Sequence, residues 1–222
     1  MDKTRAGAIL QILQNTTTVP VIVEAKKDPF KILIMTIISQ NTSDANTQRA
    51  FEKLSKHFKI TPPSLAKAQI TEIENCLRVG GLYRNKAKTI QTVSKIIFEN
   101  FDSSLNPILS QPFDEARKIL LEFPGVGPKT ADVVLLLSAN QPTIPVDTHV
   151  NRVSKRLGLA PSDGGYEDVR FSLESFFDPK DYLAVHLLLI AHGRKYCNAI
   201  KPNCSRCQIN SYCPSKILGD KT

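Results

Sequence analysis

The residues best suited to chemistry lie in a glycine-rich segment and a carboxylate that follows it. Gly125, Val126 and Gly127 precede a proline and Lys129, and Asp147 comes later in the chain. Two glycines permit a tight turn with positive φ, and the backbone N–H groups of such a turn before a helix can bind an anion such as phosphate. A lysine can attack carbon as a nucleophile, and a carboxylate can assist it. The segment therefore offers anion binding and covalent chemistry together.

Each of these residues also has a simpler interpretation. The glycines could form an ordinary turn between helices, and Lys129 could bind phosphate without attacking carbon. Asp147 could cap the helix that begins at the next residue, a role that is compatible with catalysis. A nucleophilic lysine must be neutral, and both a helix N-terminus and desolvation in a cleft would favour the neutral amine. His149 could contact phosphate or Asp147, or serve only the structure.

A second cluster consists of cysteines near the C-terminus. Four of the five cysteines follow the pattern C-x6-C-x2-C-x5-C: Cys197, Cys204, Cys207 and Cys213. Two disulfides in so short a loop are not expected in a cytosolic protein, whereas four thiolates suit a [4Fe–4S] cluster or a structural zinc ion. The spacing does not separate these two, although a single C-x2-C pair favours iron–sulfur. Because no second cofactor motif accompanies the cysteines, we expect a structural role.

Basic residues surround this cysteine loop, residues 197–213. They are Arg194, Lys195, Lys201 and Arg206. They could contact phosphates or offset the negative charge of a tetrathiolate cluster. Cys76 stands apart, and we expect it to be a small buried hydrophobe.

The composition limits the class of protein. The 222 residues suit one large domain or two small ones. Lys and Arg (29) exceed Asp and Glu (21), and the net charge of +8 favours polyanionic partners. No apolar run approaches the ~20 residues that span a bilayer, and the N-terminus lacks the long apolar region of a signal peptide. We therefore expect a soluble, cytoplasmic protein with no membrane partner.

Helices must position these residues. Helical spacing predicts one helix over 114–122 that stops at Phe123-Pro124-Gly125, and another over 130–140 whose first turn suits Pro128. The expected local structure is helix, hairpin, helix. Similar spacing predicts helices over 4–14, 29–38, 43–58, 64–67, 71–77, 86–101, 148–157, 166–177 and 181–193. Since no convincing strand pattern occurs, the fold should be all-α.

Three separated motifs together resemble the endonuclease III family of helix-hairpin-helix DNA glycosylases and AP lyases. They are LEFPGVGPKTADVVL, TIPVDTHVNRV and HGRKYC-x6-C-x2-C-x5-C, and the likeness extends from about Pro29 to Cys213. The resemblance implies two helical lobes with a DNA-binding cleft between them. One is a six-helix bundle over 22–142 that contains the hairpin, and the other combines 1–21 with 143–222 and a [4Fe–4S] cluster. The choice of iron–sulfur rests on this resemblance.

The resemblance also implies roles for single residues. Lys129 matches the family's catalytic lysine, Asp147 its catalytic aspartate, and the four cysteines its cluster ligands. From the resemblance or from their charge and position, the residues expected to contact DNA are Gln40, Asn41, Leu82, Gly125, Val126, Gly127, His149, Arg194 and Lys201.

Three of these residues have more specific expected roles. Leu82 matches the leucine that wedges into the base stack. Gln40 and Asn41 match the region that fills the gap left by a flipped base. Bacterial members of the family read Ser-Ala-Gln where this chain reads Ser-Gln-Asn at 39–41, which puts Asn41 on the gap-filling position.

The implied function is base excision repair of duplex DNA that contains damaged bases or abasic sites. A monomeric enzyme would flip the damaged nucleotide outward. Lys129 would attack C1′ and form a Schiff base, and β-elimination would then nick the strand, with oxidised pyrimidines such as thymine glycol as substrates. One alternative is a related glycosylase for mismatches or other lesions, in which the lysine position usually carries another residue. Another is a non-catalytic DNA-binding module with a zinc site.

Overall fold

The computed structural model describes residues 2–18 and 28–216, and helices make up its regular structure. No β-strand occurs in those ranges, so the predicted all-α class is confirmed. Over the same ranges, no helix is both long and apolar enough to cross a membrane. The α-helices are α1 (Lys3–Thr16), α2 (Pro29–Ser39), α3 (Asp44–His57), α4 (Pro62–Lys67), α5 (Ile70–Leu77), α6 (Tyr83–Asn100), α7 (Asn106–Leu109), α8 (Phe113–Leu121), α9 (Pro128–Ala139), α10 (Thr148–Leu157), α11 (Tyr166–Phe176) and α12 (Tyr182–Lys195).

The chain divides into two compact units. We call Glu24–Gln141 the hairpin unit, and Met1–Val23 with Pro142–Thr222 the cysteine unit. The boundary expected between residues 21 and 22 lies outside the described residues. Each unit has its own core of buried apolar side chains.

Helix α2 lies in the core of the hairpin unit, as a sequence that is apolar on nearly all sides predicts. Leu33, Ile34, Ile37 and Ile38 are completely buried. Asp28 caps the N-terminus by accepting hydrogen bonds from the next backbone N–H groups. The helix ends at Ser39, so residues 40 and 41 emerge directly from the core.

The largest differences from the predicted helices of this unit are in α6 and α7. Helix α6 begins at Tyr83 instead of 86, because Leu82 adopts the N-cap position with a left-handed backbone. The short helix α7 was not predicted, and it occupies the proline-containing segment between α6 and α8. The earlier start of α6 places Leu82 at the junction of a turn and a long helix.

Helices α8 and α9 are joined by a buried ion pair as well as by packing. Arg117 of α8 donates from Nε to Oδ1 of Asp132 on α9 at 2.6 Å, and Asp132 is completely buried. Removing one partner of a buried pair leaves an uncompensated charge, which typically costs about 3–5 kcal/mol. The two helices that flank the glycine-rich segment are therefore firmly held together.

The cysteine unit is organised around α10 and α12. Val150, Val153 and Leu157 of α10 enter its core. Arg5 of α1 donates from Nη2 to the carbonyl oxygens of Leu157 and Tyr212, so α1 is bonded to the end of α10 and to the cysteine loop. The N-terminal helix thus belongs structurally with the C-terminal segment.

Candidate functional site

The glycine-rich segment forms a tight turn between α8 and α9. Val126 donates its N–H to the carbonyl oxygen of Phe123 at 3.0 Å. Proline at the second position and Gly125 with φ 74° at the third give the pattern of a type II turn. A Cβ on Gly125 would lie 2.7 Å from Cγ2 of Thr89. Both backbone conformation and close packing therefore require glycine at 125.

The backbone of Gly127 differs from the predicted turn with positive φ at both glycines. Its φ is −92° and its ψ 178°, an extended conformation open to any residue, so the positive φ expected at Gly127 is wrong. A Cβ there would meet no atom within 4 Å. Val126 is also not one of the outward-facing N–H groups, because its N–H closes the turn and its side chain is buried. The open approach to the hairpin is over Gly127.

Lys129 lies in the first turn of α9, as predicted. Pro128 opens the helix, and the N–H groups of Thr130 and Ala131 both donate to the carbonyl oxygen of Gly127 at 3.0 Å. Lys129 is half-buried. Its amine is thus placed at the positive end of a helix dipole, directly after the open glycine.

Gln40 and Asn41 take different positions although they are adjacent. Gln40 donates from Nε2 to the carbonyl oxygen of Gly125 at 3.0 Å and to Oγ1 of Thr130 at 3.4 Å. Asn41 is exposed and has a left-handed backbone with φ 51°. The structure brings the Gln40 amide onto the hairpin and leaves Asn41 facing outward.

Leu82 combines two unfavourable properties. Its side chain is 57% exposed and its backbone is left-handed, with φ 48° and ψ 27°. A left-handed conformation costs a non-glycine residue about 1 kcal/mol or more. Neither the exposed side chain nor the left-handed backbone of Leu82 contributes to the packing of the core.

Sequence reasoning missed the basic residues near Leu82. The guanidinium groups of Arg78 and Arg84 lie 5.8 and 5.6 Å from the ring centroid of Tyr83. Lys86 was missed as well, and it is buried. The signal for Lys86 was available, since it lies on the apolar stripe of α6 with Ile90, Val93 and Ile97 at helical spacing.

Asp147 caps α10, as its position predicts. Its Oδ1 accepts the N–H of Val150 at 2.7 Å, and the residue is half-buried. The preceding segment, residues 143–146, is held by side chains of the helices. Glu174 accepts a hydrogen bond from the N–H of Ile144 at 3.0 Å, and the hydroxyl of Tyr166 accepts one from Val146 at 3.3 Å. The Asp147 carboxylate is therefore fixed within the cysteine unit.

His149 is engaged within the protein. Its Nδ1 lies 3.0 Å from Nη2 of Arg152. Arg152 also donates to the carbonyl oxygens of Gly193 and Cys197 at 3.0 and 2.9 Å, which joins α10 to α12 and to the first cysteine. The predicted phosphate contact of His149 thus competes with a structural role.

The four cysteines of the cysteine loop line one cavity, together with His192 of α12. None of the chain's five cysteines forms a disulfide. Burial, reinforced by the neighbouring cysteines, raises the pKa of the Cys207 and Cys213 thiols. A bound cation would stabilise the thiolate forms of these two cysteines. Cys76, by contrast, is buried in α5 as predicted.

Two side chains contact the thiols of this cavity. Arg156 of α10 donates to Sγ of Cys197 at 3.4 Å and to the carbonyl oxygens of Asn198 and Ala199 at 2.6 and 3.0 Å. Nε2 of His192 lies 3.6 Å from Sγ of Cys207, and burial lowers the pKa of His192 to about 4. Arg156 therefore supplies the permanent positive charge at the thiols.

Two predicted contact residues lie on the surface of the cysteine unit. Arg194 is exposed in the last turn of α12, and Lys201 is exposed in the cysteine loop with a left-handed backbone, φ 54°. The structure thus groups Gln40, Asn41, Leu82, the hairpin and Lys129 in one unit. It groups Asp147, His149, Arg194, Lys201 and the cysteines in the other.

Comparison with known proteins yields a consistent set of similarities. Residues 34–179 match the HhH-GPD superfamily of base excision DNA repair proteins. The chain is 39% identical over 188 residues to endonuclease III of Sulfolobus acidocaldarius, covering 84% of this chain and 82% of the relative. It is 33% identical over 186 residues to endonuclease III of Thermotoga maritima, with 84% and 83% covered.

The fold is also similar to solved structures. One is a trapped covalent intermediate of endonuclease III with DNA, in an estranged-adenine complex. It shows a TM-score of 0.84 and 29% sequence identity, with 97% of each chain covered. The sequence similarity therefore covers 84% of the chain, and the structural similarity covers 97%.

Proposed function

The chain belongs to the endonuclease III family of HhH-GPD base excision DNA repair proteins, and on that premise we propose that it removes oxidised pyrimidines, such as thymine glycol, from duplex DNA. It is a bifunctional DNA glycosylase and AP lyase. The observation that carries the proposal is the placement of Lys129 in the first turn of α9, directly after the open Gly127. A lysine there can reach a sugar whose phosphate is bound at the hairpin.

In the proposed reaction, Nζ of neutral Lys129 attacks C1′ of the flipped nucleotide. The C1′–N bond breaks, and the base leaves with the electron pair and takes up a proton. Asp147 stabilises the positive charge that develops on the sugar. The secondary ammonium then loses one of its two protons. The C1′–O4′ bond breaks, O4′ takes up a proton as the sugar ring opens, and the remaining proton stays on Nζ in a protonated C1′=N Schiff base.

The Schiff base makes the strand cleavage possible. Loss of a proton from C2′ breaks the C3′–O bond, and the 3′ phosphate departs with that electron pair. Water hydrolyses the imine and regenerates Lys129. The strand is thereby nicked 3′ to the abasic site.

We assign the DNA contacts to separate features of the hairpin unit. Gly125 and Gly127 hold the phosphate backbone, and Leu82 wedges into the base stack. Asn41 fills the gap left by the flipped base, because the Gln40 amide is already bonded to the hairpin. Arg78 and Arg84 add positive charge beside the wedge. His149, Arg194 and Lys201 are proposed phosphate contacts of the cysteine unit.

We propose that the cysteine loop holds a [4Fe–4S] cluster through Cys197, Cys204, Cys207 and Cys213. The four thiols line one cavity. The single C-x2-C pair and the similarity to endonuclease III support a cluster over zinc. When bound, the cluster cross-links the loop.

A panel of duplexes, each with one lesion, tests the substrate assignment. Base release and strand nicking should both be fastest for oxidised pyrimidines, with nicking following release. Undamaged duplexes and mismatches of normal bases serve as controls. Faster release from mismatches, or release without nicking, would instead support a monofunctional or mismatch-specific glycosylase. The expected monomeric state and the cytoplasmic, nucleoid-associated location stay predictions.

A further inference from the structure

Lys86 is a charged side chain in an unusual place. It is 4% exposed, and its Nζ donates to the carbonyl oxygens of Ile38 and Gly80, each at 2.9 Å. Lysines are almost never fully buried unless they are paired. Ile38 lies 48 residues before Lys86 in the chain and Gly80 six, so the lysine links two segments that are distant in sequence.

Both acceptors lie at helix C-termini. Ile38 belongs to the last turn of α2, and Gly80 ends the 3₁₀ turn Arg78–Gly80. Carbonyl groups at such ends lack partners within the helix and carry partial negative charge. One ammonium group therefore caps two helical ends at once. Burial lowers the pKa of Lys86, and these carbonyl groups offset the cost of burying its charge.

The two capped segments lead directly to the proposed DNA-probing residues. Gln40 and Asn41 follow α2, and Leu82 follows the 3₁₀ turn. The backbone N–H of Lys86 also donates to the carbonyl oxygen of Leu82 at 3.0 Å. Asn41 and Leu82 both have left-handed backbones, with φ 51° and 48°. Surrounding structure must hold such backbones in place, and Lys86 touches or caps both segments.

We infer that Lys86 is a positioning residue that fixes the gap-filling segment, residues 40–41, relative to the wedge segment, residues 80–82. Asn41 and Leu82 then enter the duplex as a single rigid unit instead of as two independent loops. Because Gln40 donates a hydrogen bond to Gly125, the two segments are also held in a fixed position relative to the phosphate-binding hairpin. The inference rests on the proposed function, since it assigns Asn41 and Leu82 to the duplex.

Lys86→Met tests this inference, because it keeps the aliphatic stem and removes the donors. The matched control is Lys88→Met, which removes the same charge from an exposed position of α6. The probe is a duplex with a stable abasic-site analogue opposite 2-aminopurine, whose fluorescence rises when its stacking is disturbed. Wild type and Lys88→Met should raise the fluorescence equally, whereas Lys86→Met should lose most of the rise at saturating protein.

Affinity provides a readout that a merely structural role would not change. Lys86→Met should weaken binding to the abasic-site duplex roughly tenfold, as expected for loss of preorganisation. Binding to an undamaged duplex should change less than about twofold, because it depends mainly on phosphate contacts. A folded Lys86→Met with wild-type fluorescence and a wild-type affinity ratio would overturn the inference, as would equal weakening on both duplexes.

Two further measurements keep the test decisive. If Lys86→Met does not fold, Lys86→Gln replaces it, since the amide keeps donors but is one atom too short to hold both carbonyls. Borohydride trapping of wild type on an abasic duplex distinguishes failure of the proposed function from failure of the inference about Lys86. No trapping by wild type would contradict the proposed function, whereas normal trapping with an unaffected Lys86 variant contradicts only the role of Lys86.

Discussion

The hairpin and the cysteine loop are both short segments that follow a helix, but they are held in different ways. The hairpin is fixed by its backbone, through the turn that Val126 closes and the left-handed Gly125 packed against Thr89. The cysteine loop is held by side chains of α10, since Arg152 and Arg156 bond to its carbonyl groups. The first region is complete without a cofactor, and the second surrounds a cavity lined by thiols.

Because the two regions are held differently, different substitutions should disturb them. A backbone turn depends on local conformation, so single glycine substitutions should disturb it. A loop built around thiols of raised pKa depends on the group that binds them, so loss of one ligand should disturb the whole loop. The two regions should therefore fail separately.

The largest effect is expected from loss of a cluster ligand. Cys204→Ala should abolish the absorbance near roughly 400 nm that thiolate-bound iron gives and should unfold the cysteine loop, because metal binding and folding are coupled. Helices α2 and α6 of the hairpin unit should keep their protection from hydrogen exchange. The matched control Cys76→Ala, in α5, should retain the colour. Full colour in Cys204→Ala would contradict the ligand assignment.

A smaller effect is expected from the two glycines of the hairpin. Gly125→Ala should destabilise the protein by about 1–3 kcal/mol, because of its left-handed backbone and the contact with Thr89. Gly127→Ala should change stability by less than about 0.5 kcal/mol, yet weaken DNA binding, since the methyl group occupies the open approach. Chemical denaturation and DNA titration together measure this contrast. Equal destabilisation by both substitutions would mean that the turn geometry is not the cause.

A loss of stability smaller than that of Gly125→Ala is expected from Arg156. Arg156→Met should remove the donors to Asn198 and Ala199 and cost the cofactor-loaded protein about 1–2 kcal/mol. Iron release to a chelator should become several times faster, while Lys155→Met leaves the rate unchanged. Unaltered release from Arg156→Met would indicate that the thiols alone hold the loop.

The features that the sequence predicted well are those with a local cause. Proline at 128 marks the start of α9, Asp147 caps α10, and the uniformly apolar α2 lies in the core. Each follows from propensity or periodicity within a few neighbouring residues. The all-α class follows in the same way from the repeated helical spacing.

The features that it missed depend on distant contacts. The burial of Lys86 depends on carbonyl groups of α2 and of the turn at Gly80, and the Gln40 amide is directed by Gly125. The extended backbone of Gly127 and the left-handed backbone of Leu82, at which α6 starts, are conformations that helical spacing does not determine. Local sequence patterns therefore identify the candidate residues, whereas their burial and hydrogen-bond partners depend on the tertiary structure.

The central claim is that Lys129 forms the covalent bond to DNA. Borohydride reduction on a duplex with one abasic site should trap wild type as a covalent adduct. The control Lys118→Gln, which alters an exposed lysine of α8, should be trapped equally. Lys129→Gln should still bind an abasic-site analogue but give no adduct, and mass spectrometry of the wild-type adduct should locate the sugar on Lys129. A normal yield of adduct from Lys129→Gln would contradict the account.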